Sequence, residues 1–404
     1  MAVNHKSLLT ETSKIIESAG ESQANRFLRK ALDEKKIKPT DVDFGRLFAE
    51  AFGYHNWLNA KNDRTASAVK IMENAGGVTT ASFQAISGQI LYTQFLEGYQ
   101  AEEFVFSKLI PEKQTPFRNE RIAGITGIGD AAEVVGEGEP YPYAQVGENY
   151  IDTGMTQKRG FIIALTREAV FFDRTGQLLD QAKQGGFWAG YNKEKRAIDC
   201  VIDENGGSTA GILGHRYRWL GNEIATYGDN SGAHSWDNLV ASNALVDYTD
   251  VENVLLNAKA LTDPFTGVPI NFSFKHLVVT PQLMITAHNI LSPLKVRLAN
   301  PGYATSSNPI VTDVENPLRW WQAENVQVVS SQLLANQLGT DTSWFVGDIG
   351  KAFVYRVNFP MEVIQAPANS HDEFTRDIVQ QYKVTEMGNY FTMEPRYMQK
   401  STVA

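Results

Sequence analysis

Residues 121–166 read RIAGITGIGDAAEVVGEGEPYPYAQVGENYIDTGMTQKRGFIIALT, and the chain continues over 166–203 as TREAVFFDRTGQLLDQAKQGGFWAGYNKEKRAIDCVID. In the first part apolar residues come in short bursts (Ile122, Ile125, Ile128, then Tyr150, Met155, Phe161, Ile163), punctuated by Gly at 124, 127, 129, 136, 138, 147, 154 and 160. That pattern fits a long two-stranded excursion better than a buried strand. A lone two-stranded ribbon is marginal in water, so it should lie on something else. In the second part Leu178, Leu179, Ala182, Gly185, Gly186, Ala189, Ala197 and Val201 recur at helical spacing. The stripe is narrow and made of small residues, which predicts a long helix packed closely along one side.

Length and composition set the frame. The chain has 404 residues, 43% apolar and 21% charged, room for two or three globular domains. It has no apolar run of membrane-spanning length, and MAVNHKSLLTETSK lacks the apolar core of a signal peptide, so neither export nor membrane insertion is expected. The single cysteine, Cys200, excludes an internal disulfide and falls on the helical stripe, where a small buried hydrophobe is expected rather than a nucleophile. A net charge of −9 predicts repulsion from nucleic acid unless basic residues gather on one face.

Working outward, residues 1–66 are helical in pattern: Leu8, Leu9, Ile15, Ile16 and Ala19; then Ala24, Phe27, Leu28, Ala31 and Leu32; then, after Asp43, Phe44, Leu47, Phe48, Ala51 and Phe52. This segment carries 11 basic and 9 acidic residues, so its net +2 leaves −11 on the remainder. Residues 62–82 shift to small and polar types with Gly76-Gly77, a predicted linker, and a further helix is expected from Phe83. Residues 204–238 are Gly-rich and too long for a plain connection, which predicts an insertion with its own short strands. A helix is predicted from Asp250, a buried strand over 272–279, and a helix opened by Thr280-Pro281. Strands are predicted near 325–330, 344–347, 352–359, 361–365, 374–383 and 389–397. Helices and strands mix without a βαβ repeat, so the fold class is α+β.

The hairpin with Glu137-Gly138-Glu139-Pro140, its return at Lys158-Arg159-Gly160 and the following Leu165-Thr166-Arg167-Glu168-Ala169 resemble the major capsid proteins of tailed bacteriophages, the Hong Kong 97-type fold. His276-Leu277-Val278-Val279-Thr280-Pro281 matches as well, as does the ending from Phe374-Thr375-Arg376-Asp377-Ile378-Val379 to Glu394-Pro395-Arg396. The resemblance spans roughly residues 80–400 and lies in the order of these pieces. It implies a helical, scaffold-like segment over 1–66 that a protease can remove, and an N-terminal arm over 67–120. An extended hairpin loop over 121–165 and a spine helix with a peripheral-domain insertion over 166–249 follow. An axial domain over 250–365 and closing strands over 366–404 complete it.

Gly124, Gly127 and Gly129 lack the Lys-Ser/Thr of a phosphate loop. Glu137 and Glu139 would share one face of an extended strand, but no substrate cleft accompanies them. Asp229, His234 and Ser235 have triad residue types without a nucleophile elbow. The histidines at 5, 55, 215, 234, 276, 288 and 371 have no metal-binding spacing, so neither a metal nor a cofactor is expected. The run His215-Arg216-Tyr217-Arg218-Trp219 could stack on bases or contact another subunit, and Trp320-Trp321 could anchor an interface or fill a core.

The expectation is therefore a non-enzymatic shell subunit. By resemblance it forms pentamers and hexamers of itself, assembled in the host bacterial cytoplasm into an icosahedral virion head around double-stranded DNA. Portal and a maturation protease or scaffold are the implied assembly partners. Contacts to neighbouring copies are expected from Glu137, Glu139, Tyr141, Lys158 and Arg159 on the hairpin. Arg216, Trp219, Trp320 and Trp321 are candidate interface anchors. The Gly-rich joints would let arm and hairpin swing; no Lys–Asn crosslink is predicted. An encapsulin-type compartment enclosing cargo enzyme, and a soluble enzyme with a pocket at 204–238, are the alternatives.

Overall fold

The computed structural model describes residues 5–39, 42, 47, 77–123, 134–141, 150–166, 177–203, 214–219, 221–231, 236–262, 267, 269–292, 295–299, 311–316, 318, 326–339, 343–365 and 378–403. In chain order the elements begin with helices α1 (His5–Ala19), α2 (Glu21–Asp33), α3 (Gly77–Tyr99) and α4 (Phe106–Leu109). Strands β1 (Glu112–Gln114), β2 (Arg121–Ala123), β3 (Tyr150–Asp152) and β4 (Gln157–Thr166) precede the long helix α5 (Gln177–Ile202). Then come β5 (Tyr217–Trp219), β6 (Asn222–Ile224), β7 (Leu239–Val240), α6 (Tyr248–Lys259), β8 (His276–Val279), α7 (Met284–Leu291), β9 (Lys295–Ala299) and β10 (Val311–Glu315). The last are β11 (Gln327–Ser330), α8 (Gln332–Leu338), β12 (Trp344–Gly347), α9 (Ile349–Ala352), β13 (Phe353–Gln365), β14 (Ile378–Thr392) and β15 (Met398–Ser401).

The chain divides into two compact units. The first comprises Met1–Phe104, Lys158–Asn192 and Pro360–Glu386; the second comprises Val105–Gln157, Lys193–Phe359 and Met387–Ala404.

In the first unit, α1 and α2 set Leu8, Leu9, Leu28 and Leu32 into one core with Ile86, Ile90 and Leu91 of α3 and with Leu179 and Ala182 of α5. Ser13 and Ser82 share a hydrogen bond of 2.9 Å, and the Arg29 guanidinium lies 4.8 Å from the Tyr92 ring centre. The first two helical sets read from the sequence are therefore α1 and α2. Of the third set only Leu47, fully buried, is described. The linker expected over 62–82 ends earlier, since α3 already begins at Gly77.

Helices α3 and α5 meet backbone to backbone. A Cβ on Gly186 would overlap the Phe95 carbonyl oxygen, one on Gly98 the Lys183 carbonyl oxygen, and one on Gly190 the Phe104 ring. The small-residue stripe is thus a requirement of close approach. Gly185, one position away, differs: its Cβ would meet only side chains, the nearest Ile163 Cδ1 at 3.4 Å.

In the second unit the central sheet runs β11-β8-β12-β15-β7. β8 is parallel to β11 and antiparallel to β12, and β15 is antiparallel to β12 and parallel to β7. Both faces are covered, and successive residues go to opposite cores. Leu277, Val279, Trp344 and Val346 pack with Val251, Val254 and Ala258 of α6 and with Ala287 and Ile290 of α7. Val278 and Phe345 pack instead with Ala197, Ile198 and Val201 of α5. Helix α6 starts two residues before the expected Asp250 because Asp247 caps it. The Asp247 carboxylate accepts from Thr249 N at 2.8 Å, and the Asp250 carboxylate accepts from Asp247 N at 2.9 Å. Glu194 of α5 is fully buried and accepts the amides of Val105, Phe106 and Ser107 at 2.9, 2.7 and 2.8 Å, opening α4.

Four sequence expectations change. The strands expected at 352–359 and 361–365 are one strand, β13. β1 pairs only with residues 355–357, so Pro360 lies where β13 lacks that neighbour and its missing N–H is tolerated. Those expected at 374–383 and 389–397 become β14, a 3₁₀ turn at 395–397 and β15. Residues 157–166 do not belong to the two-stranded excursion; as β4 they join a sheet of order β1-β13-β14-β4, where a Cβ on Gly160 would overlap the Val384 carbonyl oxygen. Periodicity predicts neither β9 nor β10, which form a separate antiparallel pair.

Gly186→Ala should lower stability by about 2–4 kcal/mol, because two backbones must separate. Gly185→Ala should be neutral or stabilising by up to about 1 kcal/mol through helix propensity. Urea midpoints of the two variants check the contrast; equal destabilisation would refute the close-approach account.

Candidate functional site

The root of the hairpin lies in the second unit. β2 pairs antiparallel with β3 in the register Arg121↔Asp152, Ile122↔Ile151 and Ala123↔Tyr150. Arg121 Nε lies 2.9 Å from Asp152 Oδ1, and its guanidinium sits 4.4 Å from the Tyr150 ring centre. The β5–β6 hairpin extends this sheet through Ile151↔Trp219, so the 204–238 segment does carry short strands of its own. The ladder rests on a small core of Ile151, Tyr217, Ile224, Trp236 and Leu261.

Between β2 and β3 in sequence, Glu137-Gly138 form a tight turn, with Glu139 N donating to Gly136 O at 3.1 Å and Gly138 at φ +89°. The positive φ at the third turn position is what Gly supplies there. Glu137 and Glu139 therefore do not share a strand face, as alternation predicted. The Glu139 carboxylate accepts from Gly136 N at 3.3 Å, and Glu137 is exposed. Tyr141 and Val134 beside the turn are almost wholly exposed.

Lys158 and Arg159 lie on β4 in the first unit. Lys158 is exposed, whereas Arg159 lines a pocket of about 280 Å³ with Tyr99, Phe161, Trp188, Met361 and Glu386. Tyr99 donates to the Glu386 carboxylate at 3.0 Å. Trp188 is 62% exposed, and Ile162 and Ile364 are exposed in the same unit. Sequence reading did not single out Trp188: a tryptophan on a helix looks the same whether it faces core or water.

The basic-aromatic run is engaged within the subunit. Arg216 Nε and His215 Nε2 approach Asp203 Oδ1 at 2.9 and 3.3 Å, and Thr226 N donates to Asp203 Oδ2 at 2.8 Å. Burial pushes the Asp203 carboxyl up, but hydrogen bonds from His215, Thr226 and Arg216 outweigh it and hold it below the usual range. Arg218 pairs with Glu223 at 2.5 Å, and the half-buried Trp219 ring lies 6.3 Å from that of Trp236. Trp320, Trp321, His234, Ser235 and the glycines at 124, 127 and 129 lie outside the described residues. Asp229 accepts from Ser231 Oγ.

Cys200 is buried against Thr392, and burial pushes its thiol far up, so it stays a neutral hydrophobe. Among the described residues no cluster of His, Cys, Asp and Glu could hold a metal ion, and no helix is long and apolar enough to cross a membrane.

The described part of the hairpin is thus a paired root and an exposed turn, and aromatic residues such as Tyr141 and Trp188 are exposed. Residues 151–401 match the family model described as phage capsid protein, and the chain belongs to that family. No curated protein matches the chain. Among solved structures it is similar to the virus-like particle from Pyrococcus furiosus (10% identity, 77% of this chain and 97% of that one, TM-score 0.42). It is similar also to the capsid of the Cyanophage P-SCSP1u (10% identity, 74% and 88%, TM-score 0.44). A third is the holo-SrpI encapsulin complex from Synechococcus elongatus (10% identity, 76% and 90%, TM-score 0.42).

The electrostatics of the second unit also set a pH dependence. His276 Nδ1 accepts from Ile349 N at 3.4 Å, and the ring is held below the usual 6.5 by burial and by Lys275, against the opposing pull of Asp348 and of a Gly347 hydrogen bond. Burial raises the Asp348 carboxyl, but the hydrogen bond and charge of Lys275, a hydrogen bond from Ser273 and the charge of Lys351 bring it below the usual 3.8. A histidine with a lowered native pKa binds more protons unfolded, so its contribution is complete above about pH 6.5 and is lost as pH falls below it. The Asp348 contribution is present above about pH 3.8 and is lost as pH falls through its lower native value. Denaturation from pH 8 to about 2 should show both losses, and His276→Gln should abolish only the first.

Proposed function

We propose that this chain is the major head protein of a tailed phage or prophage, a Hong Kong 97-type shell subunit that closes as pentamers and hexamers around double-stranded DNA. The observation that carries this reading is the phage-capsid family match across residues 151–401. A hairpin with a paired root, an exposed turn at Glu137-Gly138 and a long helix bound by close backbone contact support it. Closed shells need interfaces that repeat around rotation axes, and exposed rigid aromatics are the groups that dominate such contacts. An acidic balance of −9 lets enclosed DNA pack without sticking to the wall.

On this reading Glu137, Glu139, Tyr141, Lys158 and Arg159 meet neighbouring copies, and Arg216, Trp219, Trp320 and Trp321 serve as further anchors. The segment to residue 66 aids assembly, in the host cytoplasm, alongside portal and a scaffold or maturation protease. The docking of α1 and α2 in the first core argues against testing that role by deletion, which would strip the core as well.

Size-exclusion chromatography with negative-stain microscopy of the chain expressed alone should show shells, rings of five or six, or sheets of rings. A monomer or dimer at high concentration would overturn the reading. Particles from infected cells that hold cargo protein and no DNA would assign an encapsulin-type compartment instead. Trp188→Ala should leave subunit stability within about 0.5 kcal/mol, as an exposed site allows. It should raise the concentration needed for assembly about thirtyfold, the effect of about 2 kcal/mol at an interface anchor.

A further inference from the structure

We propose that Glu120 is the positioning residue of the hairpin root, tying the strand that enters it and the strand that returns into one frame and so keeping the curvature of the shell uniform. The inference rests on the capsid reading for its consequence, but on geometry within the second unit for its cause.

Both legs of the hairpin and the strand beneath them converge on this residue. The chain arrives along β1, parallel to Tyr355–Val357, and Thr115 N donates to Val357 O at 2.9 Å. Asn358 Nδ2 then donates to Thr115 O and Phe117 O, both at 2.9 Å. Glu120 Oε2 accepts from Arg356 Nη1 at 3.0 Å and from Thr115 Oγ1 at 3.1 Å. The Glu120 backbone binds Thr153 of the returning leg three times: Thr153 Oγ1 accepts from Glu120 N at 3.0 Å and donates to Glu120 O at 3.1 Å, and Thr153 N donates to Glu120 O at 2.9 Å. Thr156 N donates to Arg118 O at 3.0 Å just beyond.

Thr115, Thr153 and Thr156 are buried. The ion pair is also shielded, with the Arg356 side chain 10% and that of Glu120 31% exposed. A partly desolvated carboxylate with a fixed guanidinium and a fixed hydroxyl sets direction better than a solvated pair can. The neighbouring Arg121–Asp152 pair, with Arg121 69% exposed, is weaker by the same argument.

The root matters because any contact the hairpin makes with a neighbouring copy is reached through it, and packed interfaces match to within ångströms. The Gly-rich stretch expected to let the hairpin swing lies mostly outside the described residues, and the clamp fixes the strands on either side of it.

The test compares Glu120→Ala, Glu120→Gln and Thr115→Val by hydrogen exchange on the intact subunit and by microscopy of assembled particles. Glu120→Ala should speed exchange over 121–123 and 150–156 about tenfold, leave α5 and β8 unchanged, and turn uniform shells into particles of mixed size. Glu120→Gln keeps an acceptor for Arg356 and Thr115 and should restore most of both readouts. Unchanged hairpin exchange, exchange rising equally across the subunit, or uniform shells from Glu120→Ala would each overturn the proposal. Should Glu120→Ala fail to fold, Thr115→Val removes at near-constant shape the hydroxyl that donates to Glu120 and accepts from Phe117 N, and decides by the same readouts. A wild-type chain that forms no shells would refute the capsid reading, while the exchange data would still decide the role of Glu120 at the hairpin root.

Discussion

One buried carboxylate sets the path of the chain toward the hairpin root. Glu194, on the long helix α5, is fully buried and accepts three consecutive backbone amides, those of Val105, Phe106 and Ser107. A charge in that position is tolerable only because charge-assisted hydrogen bonds replace its hydration, and the amides gain an acceptor that no helix of their own provides. The pairing fixes where α4 starts. From α4 the chain reaches Pro111, whose carbonyl accepts from Tyr355 N at 2.9 Å, then β1, then the clamp at Glu120. The root of the hairpin is therefore referred back, contact by contact, to the second half of α5.

The first half of the same helix obeys a different rule. There the contact is backbone on backbone, and the selected property is the absence of a side chain at Gly186 and Gly190. Dispersion between two main chains at such range demands rigid helices and little else. A single helix thus carries two kinds of constraint along its length: steric in the first unit, electrostatic in the second. This explains why its sequence has neither a broad apolar stripe nor a regular charge pattern.

What could be read from the sequence follows from the range of the interaction behind each feature. Helices α1, α2 and α6 were legible because helical periodicity is local; the Asp247–Asp250 capping box, equally local, went unread, and the expected start of α6 fell at Asp250 instead. The strand at 344–347 was legible as a run of apolar residues buried on both faces. The hairpin root was legible from glycines and short apolar bursts, but β4 was not separable from it, because an alternating strand looks the same beside either partner. Glu194, Glu120 and Arg356 were invisible. Each is an ordinary charged residue whose partners lie far along the chain, Arg356 being 236 positions from Glu120. The turn at Glu137-Gly138 was misread as extended, although Gly138 was there to permit the positive φ.

The N-terminal helices raise a question that magnitudes can answer. Leu8, Leu9, Leu28 and Leu32 are all buried in the first unit's core against Ile86, Ile90 and Leu91. Burying four leucines contributes about 6–12 kcal/mol at the usual value for each side chain. While the chain is continuous, that contribution opposes only the ordering of a tethered segment. A break in the connection to α3 would add the cost of holding two separate bodies together, about 4–15 kcal/mol. The two figures are of the same size. Covalent continuity, as much as contact, is therefore what keeps α1 and α2 on the subunit, and one cut would move their docking from secure to marginal without changing a single contact in the core.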